Sequence, residues 1–173
     1  MAIKVAKFRD VSQGTQAGQF MIGDREQLQS LDDLDPTFKM LIDDPVTAAI
    51  GVLSPSGLIN LTPVWFSYEG DKVLLNLAEH RKKTDWIRIN PNVTYLLVNP
   101  ANAYHWLSLK CTVAREIHED DPEEGARVTE HLNSIWRKYI GQGDEYQLRD
   151  PGMDERRVLF ELDVTQIATF GVP

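Results

Sequence analysis

Three cations stand in a row at Arg81-Lys82-Lys83, directly before Thr84 and after the apolar stretch that ends Asn76-Leu77-Ala78-Glu79-His80. The spacing predicts that a strand ends and a helix begins there. A helix N-terminus offers unpaired N–H groups and the positive end of its dipole, and Arg and Lys side chains beside it make a place where a phosphate can sit. A solvated basic turn is the ordinary alternative for such a run. A second group is Thr62-Pro63-Val64-Trp65-Phe66. Proline inside a strand removes a ladder donor, so it belongs at an edge or a bulge, where a flat ligand could approach the backbone. An edge strand with ordinary core aromatics explains the same residues. The third group is Tyr104-His105-Trp106 with Lys110. If Leu107 and Leu109 face the core, Trp106 and Lys110 face away, toward a subunit interface or the lip of a ligand cleft. A surface Trp packed under a helix is the alternative.

Other chemistry lacks its residues. His80, His105, His118 and His131 show no metal-ligand spacing, so no metal site is expected. No Ser-His-Asp, Cys-His or paired-carboxylate arrangement is apparent, which leaves a hydrolase without a nucleophile. Cys111 is the single cysteine, so an internal disulfide and a Cys-rich zinc site are both excluded.

These groups need a scaffold, and the periodicities describe one. Asp35-Pro36 is an N-cap followed by Pro at the first helical position, and Phe38, Leu41 and Ile42 recur at helical spacing until Asp44-Pro45. Val46 to Leu53 and Leu58 to Tyr68 read as a hairpin around Ser54-Pro55-Ser56-Gly57, and Lys72 to Leu77 follows the tight turn at Glu69-Gly70-Asp71. A short helix over Lys83 to Ile89 stops at Asn90-Pro91. Val93 to Val98 is the next strand. His105 to Ile117 is the clearest one, with Leu107, Leu109, Cys111, Val113 and Ile117 on one face. Asp121-Pro122 opens the longest helix, whose stripe is Val128, Leu132, Ile135, Trp136 and Tyr139 before Gly141. Arg157 to Thr169 closes the sheet, with Val158, Phe160, Leu162 and Val164 inward. The class is α+β, an antiparallel barrel of about six strands with a few helices, one of them long and amphipathic. Residues 1–33, which contain Gln13-Gly14-Thr15-Gln16-Ala17-Gly18-Gln19, are weakly patterned and read as an N-terminal arm, with the folded domain over residues 34–173.

The chain has 173 residues, 18 Lys and Arg against 26 Asp and Glu, a net charge of −8 and a pI near 5.0. One domain with one good core fits that length. Binding nucleic acid through a general basic surface is excluded, because phosphate neutralisation needs cations in excess. Any phosphate must sit in a local basic pocket. Residues Met1 to Phe20 lack the apolar centre of a signal peptide and no stretch reaches the length of a membrane span, so a cytoplasmic protein without membrane contact is expected.

From about Pro45 to Phe170 the order of elements and these residues resemble the pyridoxamine 5′-phosphate oxidase-like superfamily of flavin-binding split barrels, in particular its deazaflavin (coenzyme F-420)-dependent reductase branch. The resemblance is carried by Ala49-Ile50-Gly51-Val52-Leu53 with Gly57, by Thr62-Pro63-Val64-Trp65-Phe66, by Arg81-Lys82-Lys83-Thr84 before Asn90-Pro91, and by Asp154-Glu155-Arg156-Arg157-Val158. It implies a split barrel binding coenzyme F-420 (8-hydroxy-5-deazaflavin) or FMN, with the cofactor phosphate held by the Arg81, Lys82, Lys83, Thr84 segment. Asn60, Thr62, Pro63 and Val64 would line the ring, and Asn76 and Leu77 would follow the ribityl-like chain. Tyr104 and Trp106 would come from the second subunit of a homodimer, and Arg157 would lie near the shared site. Asp85-Trp86 stand where relatives commonly have Arg-Asn, and Cys111 where Gly is frequent. The implied activity is hydride transfer between the cofactor and a small conjugated substrate, for which the cofactor supplies the chemistry. No catalytic residue is assigned, though His105 and Tyr104 are the nearest titratable candidates. The alternative is a module that holds flavin or haem without turnover.

Overall fold

The structure is a computed structural model that describes residues 2–8 and 22–171. Nine strands, β1 (Ile3–Phe8), β2 (Ile22–Leu28), β3 (Ala48–Leu53), β4 (Ile59–Val64), β5 (Ser67–Glu69), β6 (Lys72–Ala78), β7 (Asn92–Asn99), β8 (Asn102–His118) and β9 (Arg157–Phe170), accompany the helices α1 (Pro36–Asp43), α2 (Lys82–Ile89) and α3 (Gly125–Ile140). The sheet runs β2-β1-β9-β8-β7-β3-β4, and β6 pairs with both β9 and β5. β9 is long enough to be shared. Its first half pairs with β6 (Ala78 opposite Arg157 through Lys72 opposite Asp163) and its second half with β1. β8 spans the whole of β9 and shifts register between Lys110 and Cys111 and again between Val113 and Arg115. Such bulges increase local twist and bend a long strand, which lets one sheet curl into a partly closed barrel.

The α+β split barrel expected from the sequence is the fold, with two corrections. The sheet has nine strands among the described residues rather than six, and it is not wholly antiparallel, because β1 runs parallel to β9. Both differences come chiefly from the segment read as an arm. Residues 3–8 and 22–28 are strands of the main sheet, and Ile3 and Val5 are buried in its core. Ile3 and Val5 alone are too short an alternation to define a strand. The Gln13 to Gln19 stretch lies outside the described residues.

The expected run Leu58 to Tyr68 is also two strands, since the chain leaves β4 at Trp65-Phe66 before β5 begins. α1 is built as its cap predicts, with Asp35 Oδ1 accepting from the Thr37 N–H at 3.0 Å and Pro36 at the first helical position. The barrel core includes Ile50, Val52, Leu75, Tyr95, Leu107, Leu109, Phe160 and Leu162, all fully or nearly fully buried, with Phe38, Leu41 and Ile42 of α1 over one end. α3 packs on the outside of β6 and β9. Val128 meets Leu74, Ile117 and Leu159 in a second, smaller cluster. Ile117 therefore leaves the face it was expected to share with Leu107 and Leu109, because the two register shifts of β8 carry it round to the α3 side.

Candidate functional site

The strand-to-helix junction after β6 is organised around the carbonyl of Ala78. It accepts the Arg81 N–H at 3.2 Å and the Thr84 hydroxyl at 2.9 Å, and Ala78 itself lies opposite Arg157 in the β6–β9 ladder. The start of α2 and the start of β9 thus meet at one residue. Arg81 is the N-cap of α2, and no side chain caps the helix there. The Thr84 N–H donates to the Arg81 carbonyl at 2.8 Å, and the remaining N–H groups of the first turn take no acceptor from the cap side chain.

A cleft opens at this junction. Arg81 and Lys83 stand on its α2 side, Asn76 and Leu77 come from β6, and Arg157 comes from β9. The other wall is apolar and aromatic. Leu132 and Ile135 of α3 face Pro63, Val64 and Trp65, with Tyr146 of the loop after α3. Trp65 stacks on Tyr139 at 5.3 Å and 8°, and Trp136 meets Tyr146 edge-on at 5.6 Å, so the aromatic side chains brace one another. One side of the cleft fits a flat ring and the other an anion.

Each polar group here has a definite state. Lys83 is half-buried and its ammonium donates to Thr62 Oγ1, which ties α2 to β4. Burial, and secondarily the nearby Arg81 guanidinium, push its pKa below the ordinary lysine value. Neither Arg81 nor Lys83 has an ion pair among the described residues. Arg157 is buried, donates from Nη1 to Glu155 Oε1 at 2.8 Å and lies 5.0 Å under the Tyr146 ring, while its Nε finds no partner. Burial lowers its pKa as well. Asn76 Nδ2 donates to the Val128 carbonyl at 2.9 Å, and because that carbonyl can only accept, the amide orientation is fixed. Asn76 Oδ1 is left as a buried acceptor without a partner.

The residues singled out in the sequence fall into three groups. Pro63, Val64, Asn76, Leu77, Arg81, Lys83 and Arg157 line the cleft, and Thr62 reaches it through Lys83. Pro63 sits on β4, which is the edge strand its presence predicted. Thr84 and Lys82 correct the expectation. Thr84 is fully buried with its hydroxyl on Ala78 O, so it builds the junction rather than facing the cleft, and Lys82 is exposed outside it, one residue round the first turn from each neighbour that lines it. Asn60, two residues before Thr62 on β4, is part-exposed beyond the lining. Tyr104 and Trp106 lie elsewhere in the chain. Tyr104 is 74% exposed, and Trp106 stacks on Phe170 at 5.8 Å beside a broad hollow on the outer sheet face that also includes Leu96, Lys110 and Gln166. His105 is fully buried, with Nδ1 3.0 Å from Asn99 Nδ2 and its ring against Phe38, which removes it as a proton donor to this cleft. Among the described residues no three His, Cys, Asp or Glu side chains gather as metal ligands.

Sequence reasoning missed Leu132, Ile135 and Tyr146 as cleft residues. The first two were read, correctly, as the apolar stripe of the long helix, and nothing in a helical period distinguishes a position over a sheet from one over a cleft. Tyr146 sits in a loop without periodicity.

The sequence model of the family described as pyridoxamine 5′-phosphate oxidase matches residues 34–171. The chain belongs to this family. Comparison with curated protein sequences gives no match. Among solved structures, this pyridoxamine 5′-phosphate oxidase family member is similar to an F420 reductase, with 19% identity, a TM-score of 0.60, and 78% of this chain and 98% of that chain covered. It is also similar to HutZ, a haem storage protein from Vibrio cholerae (12% identity, TM-score 0.57, 80% and 96% covered), and to General Stress Protein 26 from Bacillus anthracis (16% identity, TM-score 0.53, 79% and 93% covered). At these identities the likeness is one of fold.

Proposed function

We propose that this family member is an oxidoreductase that binds FMN or coenzyme F-420 in the cleft between β4, β6, α2 and α3. In it, hydride passes between the bound cofactor and a small conjugated substrate. The observation that carries this reading is the pair Arg81 and Lys83 at a helix start without a side-chain cap, without carboxylate partners among the described residues, opening onto an aromatic wall. The residues present fit such a ligand. Arg81 and Lys83 hold the phosphate, the orphaned Asn76 Oδ1 accepts from a ligand O–H or N–H, and Thr62, Pro63 and Val64 line the ring. When bound, the cofactor supplies the hydride chemistry, while the protein orients it and keeps water from one face.

The same reading makes the protein a homodimer. Ile59 and Leu61 are each 69% exposed on β4, and Leu53 and Leu96 add to that outer face, an apolar surface that a second copy would cover. Tyr104 and Trp106 are then the contribution of the second subunit. A second reading, a holder of flavin or haem without turnover, is favoured by one feature. No imidazole, carboxylate or thiol lines the cleft among the described residues, which leaves the Tyr146 phenol and the Lys83 ammonium as its proton donors. The visible spectrum of the purified protein, with FMN and coenzyme F-420 titrated into the apo form, tests binding. Turnover of an enone and quinone panel with reduced cofactor separates the two readings.

A further inference from the structure

We propose that the hollow on the outer face of β1, β9 and β8 is a second ligand site, one that takes a small planar aromatic carboxylate. It shares no residue with the cleft, and the inference does not rest on the cofactor reading.

The strand register builds this hollow in three rows. Lys4 of β1 and Lys110 of β8 both lie opposite Gln166 of β9, so a cation, an amide and a cation stand side by side. Two residues further along β9, Ala168 has Ala6 on one side and Ser108 on the other. Two further again, Phe170 lies opposite Trp106, and the two rings stack at 5.8 Å and 18°. Alternate residues of a strand share a face, so these side chains project outward, while Val5, Ile167, Leu107 and Leu109 between them are buried. A row of short side chains between two rows of long ones makes the surface concave. The hollow has a volume of about 790 Å³, which is within the range of small-molecule sites.

The dimensions and the charge name the ligand. From the Gln166 row to the Phe170 row is roughly 13 Å along the strand, and Lys4 and Lys110 are two strand spacings or roughly 10 Å apart. Two fused rings with a carboxylate fit the first distance, and a carboxylate over Gln166 is within reach of both flexible lysine side chains. Neither Lys4 nor Lys110 has an ion pair among the described residues, in a chain of net charge −8. Glu26, the carboxylate at the rim, is already paired with Lys7 at 2.9 Å. The carboxylate accepts from the two ammonium groups and from the Gln166 amide, and the rings lie on the Ala6, Ala168 and Ser108 floor against Trp106. β1, which supplies Lys4 and Ala6, lies outside the residues 34–171 matched by the family model, so one wall of the hollow is this chain's addition to the matched domain.

Calorimetric titration of the cofactor-free protein with 2-naphthoate and with its neutral counterpart 2-naphthylmethanol tests the site. The parent is expected to bind the acid about tenfold more tightly than the alcohol, because the cations act only on the acid. Lys110→Gln is expected to weaken 2-naphthoate by about 3- to 10-fold and leave 2-naphthylmethanol within about twofold. Ala168→Leu, which fills the floor from a part-exposed position, is expected to abolish binding of both. Equal affinity for acid and alcohol, or 2-naphthoate binding unchanged in either variant, overturns the proposal. Binding lost in Lys83→Met but kept in Ala168→Leu places the acid in the cleft and also overturns it. So does binding by neither the parent nor Leu61→Asp, and binding by Leu61→Asp alone shows that a second copy fills the hollow. Failure of FMN and coenzyme F-420 to bind would refute the cofactor reading and leave this result untouched.

Discussion

Lys83→Met separates what the cleft does for a ligand from what it does for the fold. The substitution keeps an unbranched stem of similar length, so the packing of the half-buried side chain is largely retained, while the ammonium and its hydrogen bond to Thr62 are removed. A hydrogen bond to a charged group contributes about 1.5–3 kcal/mol, and about 1.4 kcal/mol is a factor of ten, so FMN binding should weaken by roughly 10- to 150-fold. Stability should move the other way. Burial first, and Arg81 second, hold the Lys83 pKa in the folded state below its unfolded value. The folded state therefore binds that proton less tightly than the unfolded chain, and the charge disfavours folding throughout the range below the folded pKa, an effect lost as pH rises through the unfolded value. At neutral pH the variant should melt at the same temperature as the parent or higher. Calorimetric titration with FMN and a thermal melt of the ligand-free protein measure both. FMN affinity equal to the parent's would refute the phosphate assignment, and a melting point lower by several degrees would refute the view that Lys83 serves the ligand at the expense of the fold.

Leu61→Asp, placed on the exposed face of β4, should convert the proposed dimer to monomers of 19.7 kDa by light scattering, with secondary structure retained. Gly125→Ala should lower the melting temperature markedly, because a Cβ there would lie 2.3 Å from the Glu119 carbonyl oxygen, a backbone atom that cannot swing aside. His131 has its pKa lowered to about 4, by burial first and then by Arg127. The unfolded chain therefore binds a proton that the folded state resists, and stability should fall as pH drops from about 6.5 to about 4, by up to roughly 3 kcal/mol from this group. His131→Gln, which keeps a polar partner for Ser67, should flatten that acid limb in pH-dependent chemical denaturation.

The parts of the molecule that could be read from sequence are those whose signal is local. Asp35-Pro36 carries its own cap chemistry, Val158, Phe160, Leu162 and Val164 alternate over enough residues to define a buried face, and Pro63 announces an edge. The parts that could not be read depend on partners distant in sequence. β1 is six residues long and becomes a strand because the second half of β9 leaves it a ladder to join, which nothing in Ile3–Phe8 reveals. The bulges of β8 are invisible in its alternation, yet they decide that Ile117 faces α3 rather than the barrel core. The site divides in the same way. Arg81 and Lys83 stand out as a run, whereas Arg157 sits 74 positions after Lys83 in an alternating strand, where the pattern alone leaves it unremarkable and only the family resemblance points to it before Ala78 is known to lie opposite.

That juxtaposition also explains how a chain of net charge −8 can favour an anion. Charges spread over the surface act through water and are screened beyond about 8 Å at physiological ionic strength. The cations of the cleft act at contact, and two of them, Lys83 and Arg157, do so from half-buried and buried positions where screening is weaker, while Arg81 is exposed. The surface carboxylates nearby are engaged with other cations: Glu116 and Glu79 with Arg88, Glu119 with Arg149, and Asp120 with Arg156. Pairing each of these acids with an arginine outside the cleft leaves Arg81 and Lys83 without a carboxylate of their own among the described residues. The ion pairs around the junction therefore shape the site by keeping negative charge occupied elsewhere. Glu155 is the exception, and it is the carboxylate that holds the Arg157 guanidinium in place.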